Sequence, residues 1–487
     1  MQVLLIGPYS DSSHLTSADA RMYMRKMFLA PPVGLYRIKS YLKEHDVDVF
    51  DPNLDDLSVL DEIVAEYDIV GFSMTHATLE ADLSLAHRVR ELNRDALLLA
   101  GGQEASFNYS QVLEYSPIDA VVLGEGELAV ERICKGEPLG SISGLIVKGD
   151  ICIYDTGPAR PLSSELFTKL ALDTDYNAIP YNRYWRRMLE LDPTRKEKEV
   201  KTVRFFTSNR CLNSCSFCSS SQFHKYSCGS HTERLQLSAD TLFNQLLSLL
   251  ATSLEPRRIF YQDDDFLSGE AGRSRCEALC HKIIKGKRGG LIPKDLSFMC
   301  QTRADSVYAV LLKLMAEAGF EVISYGIESF SQTVLDEFNK NLKVSKALNT
   351  LDMTYEAGIK PFLNIILSSP KSTVKDIQAT LSQCIFEQKL GAGIGVNLYT
   401  FPFPGAKITE DSRELIEWEE VEIPDTGIVF LKSTKIVPED KDARLLMTMI
   451  EDRLDDSEDL LTSDKKSNIT LQAAFAASKK FNQRRKV

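Results

Sequence analysis

Short apolar runs alternate with amphipathic stretches along the first 135 residues of the chain. Each run ends in glycine or a polar loop, which is typical of buried parallel strands. The stretches between them carry apolar residues at helical spacing. The predicted strands are Gln2–Gly7, Val47–Asp51, Ile69–Met74, Ala96–Gly101 and Ala120–Leu123, and the clearest predicted helices are Val33–Glu44 and Leu79–Leu92. This alternation predicts an α/β fold whose N-terminal domain, residues 1–135, is a doubly wound, Rossmann-like sheet.

The same alternation recurs six times over residues 201–405. The predicted strands are Val203–Thr207, Arg258–Tyr261, Ser297–Cys300, Val322–Gly326, Pro361–Leu367 and Gly395–Tyr399. Six such repeats predict a partial TIM barrel, (β/α)6, in which functional residues gather at the carboxyl ends of the strands.

The pattern is weaker in two other stretches. Residues 136–200 are predicted to be an interdomain linker with a hairpin-like piece at Gly144–Tyr154. Its aromatic residues are expected to pack the two domains together, and they are Tyr181, Tyr184 and Trp185. Residues 406–487 are predicted to be a small, mostly helical C-terminal cap or tail with acidic stretches at 417–422 and 451–459.

Composition places the chain among globular proteins. Its 487 residues exceed what one ordinary core accommodates, so two or three domains are expected. No apolar run is long enough to cross a bilayer, and the start lacks the basic region of a signal peptide, so a cytoplasmic protein without a membrane partner is expected. The ten cysteines should then be mostly reduced. A net charge of −12 argues against nucleic acid as a partner.

Three cysteines stand close together directly after the first predicted barrel strand. Cys211, Cys215 and Cys218 lie in the run Asn-Arg-Cys-Leu-Asn-Ser-Cys-Ser-Phe-Cys. An electron-transfer 4Fe–4S cluster typically uses four cysteines, so a site with three leaves one iron open to a further ligand. An open iron indicates chemistry on a bound molecule rather than electron relay.

Structural zinc is the alternative use of these thiols. The fourth ligand would be His224, Cys228 or His231, and the protein would be a nonenzymatic scaffold. Zinc ribbons usually carry two Cys-x2-Cys pairs, and this chain has no second pair near the first.

The spacing Cys-x3-Cys-x2-Cys, with Phe217 before the third cysteine, resembles the signature of the radical S-adenosylmethionine (SAM) enzymes. The resemblance implies that the three cysteines hold a 4Fe–4S cluster and that SAM binds its open iron. Reductive cleavage then gives a 5′-deoxyadenosyl radical, with an electron from a donor such as flavodoxin or ferredoxin.

The resemblance also implies SAM contacts at the ends of the barrel strands. Arg303 suits a bidentate grip on the SAM carboxylate, although a salt bridge with an aspartate is an equal alternative. Tyr399, at the end of the sixth strand, is a candidate proton donor or acceptor. The full set of SAM contacts implied is Phe217, Asp264, Asp265, Arg303, Glu328 and Ser329.

The first domain resembles the cobalamin-binding domain that precedes the radical SAM core in one large subfamily. The matching stretches are 30–35, 68–73, 100–102 and 123–127. The cobalamin contacts implied, at strand ends where glycine allows close approach, are Ser73, Met74, Thr75, Gly101, Gly102, Gly124, Glu125 and Gly126. The base-off motif Asp-x-His-x-x-Gly is replaced by Asp11-Ser12-Ser13-His14, so His14 is not expected to ligate cobalt. Cobalamin would bind with an empty or water-bound lower face, or the domain has lost it.

The two resemblances together imply a cobalamin-dependent radical SAM methyltransferase. Its substrate would be an unactivated carbon of a small metabolite or natural-product intermediate. The alternative is a ring contraction, cyclisation or rearrangement without methyl transfer, in which cobalamin serves as a redox partner or is absent.

Overall fold

The computed structural model describes residues 1–10, 29–230, 232–455 and 463–484. His14, His231 and the extreme C-terminal residues therefore lie outside the described part of the chain.

The described N-terminal residues form a seven-stranded sheet in the order β2-β1-β3-β4-β5-β6-β7. The strands are β1 Gln2–Ile6, β2 Asp46–Phe50, β3 Ile69–Ser73, β4 Leu97–Gly101, β5 Ala120–Val122, β6 Leu145–Lys148 and β7 Ile153–Asp155. The first five run parallel, which confirms the predicted doubly wound sheet. The hairpin β6–β7 continues the sheet in antiparallel pairing, so the sheet extends past residue 135 into the predicted linker.

Helices cover both faces of this sheet. They are α1 Val33–Tyr41, α2 Leu57–Ile63, α3 Leu79–Leu92, α4 Gln103–Phe107, α5 Tyr109–Glu114 and α6 Glu127–Cys134. Alternate residues of β1 serve the two cores: Val3 and Leu5 pack with α6, while Leu4 and Ile6 pack with α3. The strand order reverses between β1 and β3, and open α/β sheets bind ligands beyond the carboxyl ends of the strands at such a point.

Three helices join the two domains, and they are α7 Ser164–Asp173, α8 Tyr181–Leu191 and α9 Glu197–Val200. Tyr181 and Trp185 are buried in the core of the barrel. The Tyr184 hydroxyl donates a 2.6 Å hydrogen bond to Asp51, at the end of β2 in the first domain. The predicted packing role of these aromatic residues is confirmed.

The second sheet has six parallel strands in chain order among the described residues, and its two outer strands do not pair with each other. The strands are β8 Thr202–Phe205, β9 Arg258–Tyr261, β10 Ser297–Arg303, β11 Phe320–Glu328, β12 Lys360–Ser368 and β13 Gly393–Tyr399. The surrounding helices are α10 Ser220–Cys228, α11 Ala239–Leu250, α12 Gly269–Arg288, α13 Ala309–Ala318, α14 Gln332–Glu337, α15 Val344–Glu356 and α16 Val374–Lys389. The predicted partial barrel is confirmed.

The C-terminal region is mostly helical, as predicted, but it also contains an antiparallel hairpin. The elements are α17 Lys407–Asp411, β14 Ile416–Ile423, β15 Ile428–Ile436, α18 Lys441–Asp455 and α19 Ser463–Arg484. Ile423 and Phe430, near the hairpin tip, are buried in the core of the first domain. Ile416 and Ile436, at its base, pack in a small cluster under the cysteine loop. The hairpin therefore fastens the first domain to the barrel.

Among the helices that the structure describes, none has both the length and the apolar character needed to cross a lipid bilayer.

Candidate functional site

The three cysteines occupy the loop that follows β8 at the carboxyl end of the barrel. All three are free thiols and are partly exposed. The loop is fixed at its middle, because the Ser216 amide donates to Phe338 O at 2.9 Å and the Ile408 amide donates to Ser216 O at 2.8 Å. Burial raises the pKa of the Cys218 thiol to about 12, so a metal that bound this thiol would have to displace its proton.

Phe217 anchors the same loop. Its ring lies 4.8 Å from the ring of Phe338, and it packs against the apolar cluster at the base of the β14–β15 hairpin. A direct contact between Phe217 and SAM stays a prediction.

Two cations lie beside Cys215. Arg303 Nη1 is 3.7 Å from the Cys215 sulfur, and its other donors bind Asp305 Oδ1 and Oδ2, each at 2.9 Å. The salt bridge that the sequence left as an alternative for Arg303 is therefore present, together with a contact to the cysteine loop. The second cation, Lys340, is buried and lies 2.9 Å from Glu328 Oε1.

Lys340 was not predicted from the sequence. Asn339 and Asn341 flank it with φ angles of 49° and 52°, a left-handed conformation that asparagine tolerates better than most residues. The Asn-Lys-Asn run could have signalled a tight turn that directs the lysine inward. A Cβ added at Gly326 would lie 2.6 Å from Glu328 Oε1 and 2.9 Å from Lys340 Nζ, so a larger residue there would displace this ion pair.

The three adjacent aspartates after β9 have different roles. Asp263 is buried and accepts from the Thr207 and Ser208 amides at 2.6 and 3.1 Å. Asp264 is exposed and accepts from the Ser220 hydroxyl and the Cys211 amide, so it faces the cysteine loop. Asp265 is buried and accepts from the Thr302 hydroxyl at 2.7 Å, which ties the loop to β10. Contacts of Asp264 and Asp265 with SAM stay predictions.

Two further candidates are engaged elsewhere. Ser329 is 1% exposed, and its hydroxyl shares a 2.9 Å hydrogen bond with Thr380 on α16, so it points to the helical layer rather than to the predicted SAM site. Tyr399 donates a 2.7 Å hydrogen bond to Glu451 on α18. Burial and Glu451 raise the pKa of Tyr399, and the contact joins the C-terminal helix to the barrel.

A cavity of about 780 Å³ lies between the two domains. Seven of the eight residues predicted to contact cobalamin line it, namely Ser73, Thr75, Gly101, Gly102, Gly124, Glu125 and Gly126. Met74 is the exception: it is 2% exposed and lies beneath the lining. Its carbonyl oxygen would be 2.9 Å from a Cβ added at Gly102, whose φ of +98° also favours glycine.

The barrel forms the other wall of this cavity. The barrel residues that line it include Arg204, Phe206, Ser208, Asn209, Phe223, His224 and Gln262. Asn209 stands two positions before Cys211, and the Ser219 hydroxyl, just after Cys218, donates to Gln103 of the first domain at 3.2 Å. The cysteine loop therefore borders the cavity.

One of the candidate fourth ligands of the zinc alternative is engaged in another contact. The Nε2 atom of His224 is already hydrogen-bonded to Asn209 O at 3.0 Å.

Glu125 and Glu127 face Arg37 at the edge of the cavity. Arg37 Nε is 2.5 Å from Glu127 Oε1, and Arg37 Nη2 is 3.9 Å from Glu125 Oε1. Burial raises the pKa of Glu125 to about 7, with Glu127 acting in the same direction and Arg37 opposing it. Glu125 is therefore about half protonated at neutral pH when the cavity holds no ligand.

Glu125 should make the stability of the cofactor-free protein depend on pH. Between its unfolded pKa, about 4.5, and its folded pKa, about 7, only the unfolded state releases the proton, so raising the pH favours unfolding. We expect the free energy of unfolding to fall by about 3 kcal/mol between pH 4.5 and 7, and we expect this fall to be absent in Glu125→Gln. Urea titrations across this pH range measure it, with Glu131→Gln as the control. An unchanged pH slope in Glu125→Gln would contradict the assignment.

Sequence profiles match both halves of the chain. The profile of the B12 binding domain matches residues 28–134, and that of the radical SAM superfamily matches residues 205–384.

Two curated proteins illustrate the relationship. An uncharacterized methyltransferase of Pyrococcus horikoshii is 27% identical over 84% of this chain and 83% of its own length. The anaerobic magnesium-protoporphyrin IX monomethyl ester cyclase of Rubrivivax gelatinosus is 24% identical over 78% of this chain and 65% of its own length.

Solved structures share the fold. The radical SAM methyltransferase TsrM of Kitasatospora setae, solved with cobalamin and a [4Fe-4S] cluster, superposes with a TM-score of 0.64 at 16% identity, covering 89% of this chain and 84% of TsrM. The cobalamin-dependent SAM radical enzyme OxsB superposes with a TM-score of 0.67 at 15% identity, covering 93% of this chain and 66% of OxsB. With both domain profiles matched in the same order, the chain belongs to the cobalamin-dependent radical SAM enzymes, whose cofactors are a 4Fe–4S cluster, SAM and cobalamin.

Proposed function

We propose that this enzyme is a methyltransferase that acts on an unactivated carbon of a small metabolite or natural-product intermediate. The observation that carries the proposal is the shared wall between the cysteine loop and the interdomain cavity, formed around Asn209. A substrate in this cavity lies between the strand ends of the first domain and the mouth of the barrel. The name of the Pyrococcus relative, a methyltransferase, supports the same activity.

The residues present fit an iron–sulfur cluster with bound SAM. Three free thiols stand on one fixed loop, and the cations Arg303 and Lys340 beside Cys215 stabilise thiolate charge. When bound, the cluster would cleave SAM reductively to give the 5′-deoxyadenosyl radical, and cobalamin would supply the methyl group. In this proposal Asp264 holds the SAM ammonium, and Arg303 with Lys340 faces its carboxylate.

The cavity also fits a large planar ring. Gly34 lines it, and a Cβ added there would meet no atom of the described residues within 4 Å, so the space beside this position is open. The glycines at the strand ends leave the backbone open to close approach. The residues that replace the base-off motif lie outside the described part of the chain.

The contacts between the domains serve to keep the two cofactors aligned and water excluded. Lys432 of β15 pairs with Glu80 of α3 at 2.6 Å, and the rings of Phe430 and Tyr115 stack at 5.6 Å. His76, after β3, is hydrogen-bonded to Ser433 O at 2.9 Å. The hairpin therefore holds the first domain over the cysteine loop.

A cyclisation or rearrangement without methyl transfer is the second candidate. The cyclase relatives of Rubrivivax and Cereibacter, each 24% identical, favour it. In both candidates, we propose that the enzyme works in the cytoplasm with flavodoxin or ferredoxin as the electron donor.

Methyl-labelled SAM separates the two candidates. The anaerobically reconstituted holoenzyme is incubated with methyl-deuterated SAM, a reductant and a metabolite extract, and the products are analysed by mass spectrometry. We expect a deuterated small-molecule product, together with both 5′-deoxyadenosine and S-adenosylhomocysteine. A substrate that is consumed without gaining label would contradict the methyltransferase and support the rearrangement. The Cys215→Ala variant, incubated with the same extract, is the control for reactions that occur without the enzyme.

A further inference from the structure

Arg204, in the first strand of the barrel, presents a cation to the interdomain cavity without a counter-ion. It lines the cavity, and no carboxylate among the described residues pairs with its guanidinium. Burial lowers the pKa of Arg204, because it withdraws the charged group from water. Arg37, the other arginine of the lining, is instead neutralised by Glu127 and Glu125. An unpaired cation in a sheltered site favours an anionic ligand.

Two amide oxygens of the same lining also lack partners. Gln262 Oε1 and Gln245 Oε1 are buried and have no hydrogen-bond partner in the described structure. The Gln245 amide nitrogen is fixed by Ala171 O at 3.0 Å and by the Tyr176 hydroxyl at 3.2 Å, so its oxygen cannot exchange places with the nitrogen. Buried acceptors without a partner are costly, and a ligand with N–H or O–H donors would satisfy them.

The cation and one of the acceptors lie on neighbouring strands. Arg204 pairs with Phe260 in the β8–β9 register, and the backbone N–H of Gln262, directly after β9, donates to Phe205 O at 2.9 Å. Phe206, 44% exposed, and Phe223 line the same cavity with apolar surface. The barrel wall of this one cavity therefore carries one cation, two acceptors and aromatic surface.

We propose that this wall is the substrate subsite and that the substrate is a small carboxylic acid with an apolar body. Arg204 binds its carboxylate, Gln262 and Gln245 accept hydrogen bonds from its N–H or O–H groups, and the aromatic rings contact its body. This inference rests on the proposed function, since it takes the ligand of the barrel wall to be the substrate.

The phosphate of the cobalamin nucleotide is another oxyanion that Arg204 could bind. Arg204 belongs to the barrel, whereas the predicted cobalamin contacts belong to the first domain, so its position favours the substrate. The experiment separates the two by following cobalamin retention and acid binding in the same variant.

The test uses the holoenzyme and small probe acids. Phenylalanine, phenylpropionate and benzoate are each paired with their primary amides, and binding is followed by saturation-transfer NMR and calorimetry. We expect at least one acid to bind roughly tenfold or more tightly than its amide. Arg204→Gln should remove this preference and Arg204→Lys should keep part of it. The control, Arg257→Gln, changes a surface arginine paired with Asp295 and should behave as wild type.

Three results would overturn the proposal: no acid preferred over its amide by the wild type, a preference that survives in Arg204→Gln, or loss of cobalamin from Arg204→Gln. The last result would assign Arg204 to the cobalamin phosphate. Melting curves of each variant show that the fold is retained, and Arg204→Lys keeps the test valid if Arg204→Gln unfolds. If the protein prefers acids but the products of the methyl-deuterated SAM experiment carry no label, the subsite proposal is supported and the methyltransferase proposal is contradicted.

Discussion

Replacing Cys215 with alanine should abolish cluster assembly and SAM cleavage. The three thiolates of Cys211, Cys215 and Cys218 are needed to hold a cluster that keeps one iron open. We expect 5′-deoxyadenosine formation to fall by more than roughly 100-fold, because even outer partners of metal ligands are typically worth 10- to 100-fold. Iron and sulfide content and 5′-deoxyadenosine, measured after anaerobic reconstitution, check this. The fold should persist, because Phe217 and Ser216 anchor the loop independently of the thiol.

Two matched cysteine variants sharpen this experiment. Cys152 is exposed on the first sheet, so Cys152→Ala should leave the cluster unchanged. Cys228 was a candidate fourth ligand in the zinc alternative, so Cys228→Ala should also retain iron if the cluster assignment is correct. Deoxyadenosine production by Cys215→Ala, or metal loss in Cys228→Ala, would contradict the assignment.

Filling the interdomain cavity at Gly34 should prevent cobalamin binding without unfolding the protein. Gly34 lies in the first turn of α1 and lines the cavity, and an added Cβ meets no atom of the described residues within 4 Å, so we expect a phenylalanine side chain to extend into the cavity. We expect Gly34→Phe to weaken cobalamin binding by roughly 10- to 100-fold or more, the equivalent of 1–3 kcal/mol of overpacking. The visible absorbance of cobalamin retained after desalting measures the loss.

The alanine variant at the same position is the control. Gly34→Ala adds a single methyl group and improves helix propensity, so it should bind cobalamin and melt at or slightly above the wild-type temperature. Iron content should be unchanged in both variants, because the cysteine loop belongs to the barrel. Wild-type cobalamin binding by Gly34→Phe would show that the cofactor does not occupy this cavity.

The alternation of apolar and polar residues was sufficient to predict the five parallel strands of the first sheet and the six strands of the second. The strands β9 and β13 fall within a few residues of their predicted bounds, because buried parallel strands produce nearly continuous apolar runs. The β14–β15 hairpin was missed for a physical reason. In Glu417–Glu422 the outward glutamates dominate the pattern and look like a solvated charge run, while the residues that anchor the hairpin stand at its ends.

The sequence could place the three cysteines on one loop, because their spacing along the chain keeps them together. It could not predict the direction of a side chain that can point to either face of a strand or loop. Asp264 and Asp265 are neighbours, yet one faces the cysteine loop and the other faces β10, because successive side chains point in opposite directions. Ser329 turns to the helical layer for the same kind of reason. The roles of Lys340 and Arg204 depend on contacts between distant strands and turns, which no local pattern shows.

One chain should hold a cluster at the barrel mouth and cobalamin in the adjoining cavity. Metal analysis of the anaerobically purified and reconstituted protein, together with electron paramagnetic resonance after reduction, tests this arrangement. We expect about four iron atoms and about one cobalt per chain, with a cluster signal that changes when SAM is added. Zinc without iron, or iron without cobalt after reconstitution with cobalamin, would contradict it.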